Sequence, residues 1–122
     1  MPIRGVRGAT IANKNTKVEI LDATRELLEK MMDSNPGMAP EDLASVLFTV
    51  TEDINAVFPA QAAREIGWYQ VPLICAREIP VPDGIEMCIR VLIHWNSDRP
   101  QTEIKQIYLR ESSNLRPDLS SG

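Results

Sequence analysis

Between Thr16 and Asn35 the side chains Ile20, Ala23, Thr24, Leu27, Leu28 and Met31 recur at helical spacing and fall on one face. Thr16-Lys17-Val18-Glu19 has capping-box spacing at the start, and Asn35-Pro36-Gly37 supplies the stop. Ahead of this helix, Ile3 to Ala12 reads as a strand interrupted by Gly5 and Gly8. Such glycines weaken a strand unless they permit a bulge or the close approach of another backbone or a ligand. After it, Pro40-Glu41-Asp42 opens a short turn of helix. Ala44 to Val50 is an apolar run rich in Val and Phe that reads as a buried strand, with helix as the competing reading.

Ala60 to Ile66 is good helix-forming sequence, with Pro59 near its first turn and Gly67 just past its end. Val71 to Cys75 and Met87 to Trp95 read as strands separated by the turn-forming Pro80-Val81-Pro82-Asp83-Gly84, and an antiparallel pair is expected of them. Asn96 to Pro100 closes that unit. Ile104 to Leu109 reads as a last strand, a helical turn from Thr102 being the alternative. The polar tail from about Ser112, with its Pro117, is expected to be mobile. Together the elements predict an α+β domain, a mixed β-sheet with flanking helices against one face, and leave its topology open.

At 122 residues the chain suits a single domain, 1–122, small enough for oligomerisation to add usefully to its stability. Seventeen acidic against thirteen basic side chains give a formal net charge of -4, and no Lys/Arg block interleaved with aromatics suggests nucleic-acid binding. Met1-Pro2-Ile3-Arg4-Gly5 lacks the apolar region of a signal peptide and no apolar run approaches the length of a membrane span, so a cytoplasmic protein is expected. Cys75 and Cys88 belong to no CxxC pair and sit near no His cluster, which favours two reduced, packed thiols over zinc or a disulfide scaffold. No metal or cofactor is expected.

Arg90 stands out because it interrupts the apolar run Met87-Cys88-Ile89-Arg90-Val91-Leu92-Ile93, and its charge cannot be shed. Alternation puts Ile89, Val91 and Ile93 on the core face of the strand and Cys88, Arg90, Leu92 and His94 on the other. Taken alone, a solvated salt bridge is the bland reading of Arg90. A small anionic ligand is the alternative, with Arg7, Arg64 and Arg116 as further cations. Arg4 and Arg7 lie on opposite faces of an extended segment, and spacing does not choose between them. Tyr108 lies opposite the Ile107/Leu109 face, and Glu78 follows a strand end. His94, the single histidine, has no evident Ser, Cys or Asp partner for nucleophilic catalysis. Several Arg, one Glu, one Tyr and one Cys suit catalysis by positioning and charge stabilisation, or simple anion binding.

Ile3-Arg4-Gly5-Val6-Arg7-Gly8-Ala9-Thr10, Ala56-Val57-Phe58-Pro59-Ala60, Cys88-Ile89-Arg90-Val91, Tyr108-Leu109 and Leu115-Arg116-Pro117-Asp118-Leu119 occur in this order. With these segments the chain closely resembles, over nearly its whole length, the small monofunctional chorismate mutases of the AroH type. The resemblance implies an isomerase that converts chorismate to prephenate by a Claisen rearrangement, towards phenylalanine and tyrosine. It implies a homotrimer packed as a pseudo-α/β-barrel with an active site in each subunit cleft, and some site residues supplied by the adjacent subunit.

By the same resemblance, Arg90 meets the substrate's ether oxygen and a carboxylate, and Arg7 and Tyr108 meet carboxylates. Glu78 and the backbone at Cys75 hold the ring hydroxyl. Phe58, Ala60, Leu73 and Leu115 form an apolar wall, while Arg64 and Arg116 stand near the mouth. Two positions depart from the pattern: Gln61 stands where the family often carries Lys, and Ile74, also expected at the substrate, where Thr is common. Altered affinity is the expected consequence. The alternatives are a non-catalytic trimeric module that binds or senses small anions, and a purely structural trimer whose arginines pair with Glu or Asp across interfaces.

Overall fold

The structure, a computed structural model, describes residues 1–115. Strand β1 (Ile3–Ile11) leads to helix α1 (Lys17–Ser34), and a 3-10 turn at Pro40–Asp42 opens strand β2 (Leu43–Val50). Helix α2 (Ala60–Glu65) precedes β3 (Leu73–Arg77) and β4 (Cys88–Asn96), and a 3-10 turn at Gln101–Glu103 precedes the short β5 (Ile107–Tyr108). A last 3-10 turn runs over Arg110–Leu115. The strands form one mixed sheet in the order β3-β2-β4-β1-β5. β4 is antiparallel to both β1 and β2, whereas β1 with β5 and β2 with β3 are parallel.

The expected elements and the α+β class are present, and Ala44–Val50 lies within a strand. One expected pairing is not. β3 and β4 do not pair with each other, because β2 lies between them. A parallel neighbour needs a crossover rather than a tight turn. The segment carrying α2 provides it between β2 and β3, so the proline-rich turn before β4 has to span a strand. The last strand is also shorter than the Ile104–Leu109 read from sequence. Ile104 is buried beside a 3-10 turn, and only Ile107 and Tyr108 pair.

Thr16 Oγ1 accepts from the Glu19 N–H at 3.3 Å, satisfying a free donor of the first helical turn. Ile20, Ala23, Leu27, Leu28 and Met31 are all buried, as their spacing predicts. They pack on the sheet face formed by Val6, Val46, Phe48, Val91 and Ile93, or on a smaller cluster around Ile54 and Ile89. Asn35 ends α1 with a buried amide that donates to Met31 O at 2.9 Å and Lys105 O at 3.0 Å and accepts from the Lys105 N–H at 2.8 Å. That clamp ties the end of the helix to the segment leading into β5. Gly67 closes α2 in the left-handed region at φ 101°, where a side chain would be strained, and turns Trp68 into the core.

Gly8 has a packing reason. A Cβ built on it would lie 2.5 Å from Met31 Sδ and 3.1 Å from Leu27 Cδ1, so its bare backbone lets α1 settle on β1. Gly5 faces no such constraint, since its nearest neighbour would be Leu92 Cδ1 at 3.9 Å. Gly8→Ala is therefore expected to overpack this contact and lower stability by about 1–3 kcal/mol. Urea denaturation would measure the loss, and an unchanged midpoint and slope would show that Met31 yields freely.

Candidate active site

The sheet has a second face, turned away from α1, and the register decides what stands on it. Arg90 pairs with Thr49 on one side and Ala9 on the other, and Ala9 pairs in turn with Tyr108. Side chains of register partners share a face, so Thr49, Arg90 and Tyr108 form a row across four strands. Arg7 pairs with Leu92 and joins them, whereas Arg4 pairs with Trp95 on the core side and sends Nε to Arg99 O at 2.8 Å. The choice between Arg4 and Arg7 is thus made by the β1–β4 register.

Glu78, one residue beyond β3, is brought to the row by its backbone N–H, which donates to Val50 O at 2.9 Å. Its carboxylate accepts from the Thr49 hydroxyl. Its Oε2 stands 3.6 Å from Arg90 Nε, an ion pair too long to be a hydrogen bond, with 46% of the Arg90 side chain exposed. Arg7, Thr49, Glu78, Arg90 and Tyr108 surround a cleft of about 270 Å³. Among the described residues Arg7 and Arg64 have no carboxylate within ion-pair distance, and Arg90 has only this loose one.

A second hollow, of about 550 Å³, is lined by Phe58, Cys75 and Arg77 among others. Phe58 is 71% exposed, an unusual position for a phenylalanine. Burial pushes the Cys75 thiol up, opposed by a backbone hydrogen bond at Ala60 and the charge of Arg64, which sets those two residues near Cys75. Leu73 packs against the core, and Ile74, 64% exposed, stands on the open sheet face. Gln61 lies on the exposed side of α2, its Nε2 donating to Glu65 Oε2 at 3.3 Å. Arg7, Glu78, Arg90 and Tyr108 thus gather at the first cleft and Phe58 and Cys75 at the second, with Ala60 and Arg64 near Cys75. Leu115 is the last described residue, and Arg116 lies outside the described residues.

Sequence reasoning missed Thr49, Gln106 and Arg77. Thr49 reaches the site only because β2 borders β4 in this register. Gln106 accepts from the Arg7 backbone N–H through its side-chain Oε1, which fixes the strand edge that carries Arg7. Arg77 follows Cys75 by two residues on β3 and donates Nη1 to Glu52 O at 3.3 Å. Alternation along β3 could have suggested it.

Two cations, a carboxylate and a phenol around one small cleft, on an α+β scaffold, are a set of groups that can hold a small anion. The pattern described as Chorismate mutase type I matches residues 3–119. A chorismate mutase AroH of Thermus thermophilus is 52% identical over 119 residues, 98% of each chain. Its counterpart from Bacillus subtilis is 46% identical over 121 residues, covering 98% of this chain and 94% of that one. The solved structure of a chorismate mutase from Clostridium thermocellum superposes with a TM-score of 0.87 at 44% identity, covering 90% of this chain and 97% of that one. The chain belongs to the type I chorismate mutase family.

Burial also pushes up the Cys88 thiol, the nearby Arg90 charge opposing it. Both thiols therefore stay protonated at neutral pH, where a thiolate nucleophile is not available. Alkylation of Cys75 by iodoacetamide is expected to be slow near pH 7.5 and to keep accelerating past the range in which an ordinary thiol has fully ionised. A rate that levels off near neutrality would contradict this.

Proposed function

We propose that the chorismate mutase activity this family membership supports is carried by Arg7, Glu78, Arg90 and Tyr108, completed by the hollow around Phe58 and Cys75 of a neighbouring subunit in a homotrimer. The observation that carries the reading is Arg90, a permanent cation set in an apolar strand, opening on a cleft where its one ion pair, with Glu78 at 3.6 Å, is too long to be a hydrogen bond. In the rearrangement of chorismate to prephenate, the C–O bond breaks ahead of C–C bond formation and negative charge gathers on the ether oxygen. A guanidinium fixed there interacts more strongly with the transition state than with the ground state. No proton transfer, covalent intermediate or cofactor enters such a step.

Arg7 and Tyr108 meet the substrate carboxylates, and together with Arg90 they hold the enolpyruvyl arm over the ring in a reactive chair. Glu78 and the backbone at Cys75 hold the ring hydroxyl. Phe58, Ala60 and Leu73 supply the apolar wall, Arg64 stands at the mouth, and Ile74 lies beside the substrate. Each hollow alone offers half of this set, which supports completion between subunits. The open sheet face supports it too, since it carries Ile3 and Ile74, 59% and 64% exposed, beside the half-buried Leu47 and Leu92. Cyclic closure would use one heterologous interface three times. One domain over 1–122 and a cytoplasmic setting complete the reading, and no helix among the described residues is long and apolar enough to cross a membrane.

A non-catalytic anion-binding module is the less favoured reading, because a carboxylate beside the arginines would repel a simple dianion. The loss of chorismate absorbance on adding purified protein, with no metal or cofactor, tests the activity, and light scattering tests the trimer. Arg90→Lys keeps the charge but loses the forked donor, so kcat is expected to fall by roughly 10²-fold or more. Turnover close to wild type would remove Arg90 from its central role.

A further inference from the structure

Glu78 is the only acid among the described residues lining the cleft, and strand β2 holds it at both ends. Its backbone N–H donates to Val50 O at 2.9 Å, and its carboxylate accepts from the hydroxyl of the preceding β2 residue, Thr49. An ionised carboxylate can only accept, so the hydroxyl proton is committed to Glu78. The oxygen that receives it, Oε2, is the one that faces Arg90 Nε at 3.6 Å. Thr49 is also the direct register partner of Arg90, so its hydroxyl reaches Glu78 from beside the guanidinium.

The geometry points to Thr49 as a positioning residue for the mutase reaction: its hydroxyl holds the Glu78 carboxylate short of a direct hydrogen bond with Arg90. This rests on the functional reading above. Arginine and carboxylate groups left to themselves close into short, charge-assisted hydrogen bonds, often through two parallel donors. Such closure would spend the Arg90 donors on the protein in the ground state and turn Glu78 away from the substrate hydroxyl. With Oε2 occupied by Thr49, Glu78 keeps Oε1 for the ligand, and Arg90 keeps its Nε–H for the oxygen on which charge develops. The consequence falls mainly on turnover, because the Arg90 contact strengthens towards the transition state.

Three variants separate the hydroxyl from the methyl group of Thr49. Thr49→Val keeps the shape and removes the donor, Thr49→Ser keeps the donor and removes the methyl, and Thr49→Ala removes both and stands in should the valine variant fail to fold. Steady-state kinetics with chorismate are expected to give Thr49→Val a kcat roughly tenfold below wild type, the scale of one charge-assisted hydrogen bond, with KM moving by less. Thr49→Ser should stay near wild type and Thr49→Ala should match Thr49→Val. A valine variant at wild-type kcat, a loss confined to KM, or a serine variant as impaired as the valine one would each overturn the inference. If wild-type protein itself leaves chorismate unchanged, the functional reading fails and this inference with it. Active wild type beside an unimpaired Thr49→Val sinks the inference alone.

Discussion

The antiparallel pairing of β4 with both β1 and β2 is the constraint on which the cleft depends. Because side chains alternate across a strand, a slip of one residue would carry Arg90 to the helix-covered face and an aliphatic residue to the open one. A guanidinium driven into that core without a partner would be expensive, whereas Ile89, Val91 and Ile93 bury there with no polar group to satisfy. The hydrophobic pattern of one strand therefore enforces the register of three. The same register sets Thr49 beside Arg90 and places Tyr108 next but one.

Electrostatic balance in the cleft follows from that placement. Arg7 and Arg90 supply charge, Glu78 tempers it, and the 3.6 Å gap between Glu78 and Arg90 leaves donors unspent. In the proposed function those donors are left for the ligand. A reaction that only redistributes charge within one molecule needs little beyond this: fixed dipoles, fixed cations and a shape that holds the reactive conformer. The raised thiols of Cys75 and Cys88 fit the same scheme, since neutral packed sulfur leaves the charge pattern to the arginines.

Coverage of the sheet is uneven, and the unevenness bears on assembly. One face is closed by α1 and α2, with Gly8 allowing the closest approach of helix to strand. The other face keeps its apolar residues half open, and the exposed Phe58 marks a second hollow near the β3 edge. A chain of this size buries a modest fraction of its surface, so covering such a face between copies would add stability, and in the proposed trimer it would also bring the two hollows together.

Much of the fold was legible along the chain because its signals are local. Helical spacing from Ile20 to Met31, the Thr16 cap and the Gly67 stop depend only on neighbours in sequence, and each is present in the structure. Family resemblance named the candidate site residues, and alternation alone put Arg90 opposite the core. The neighbours of β3, the choice of Arg7 over Arg4, the role of Thr49 and the division of the site into two hollows were not legible. Each depends on which strand lies beside which, a matter of hydrogen bonds between residues far apart in sequence. The sequence by itself determined which residues alternate and which carry charge; tertiary structure alone decided which of them meet, because period-two alternation names a face without naming the strand across from it.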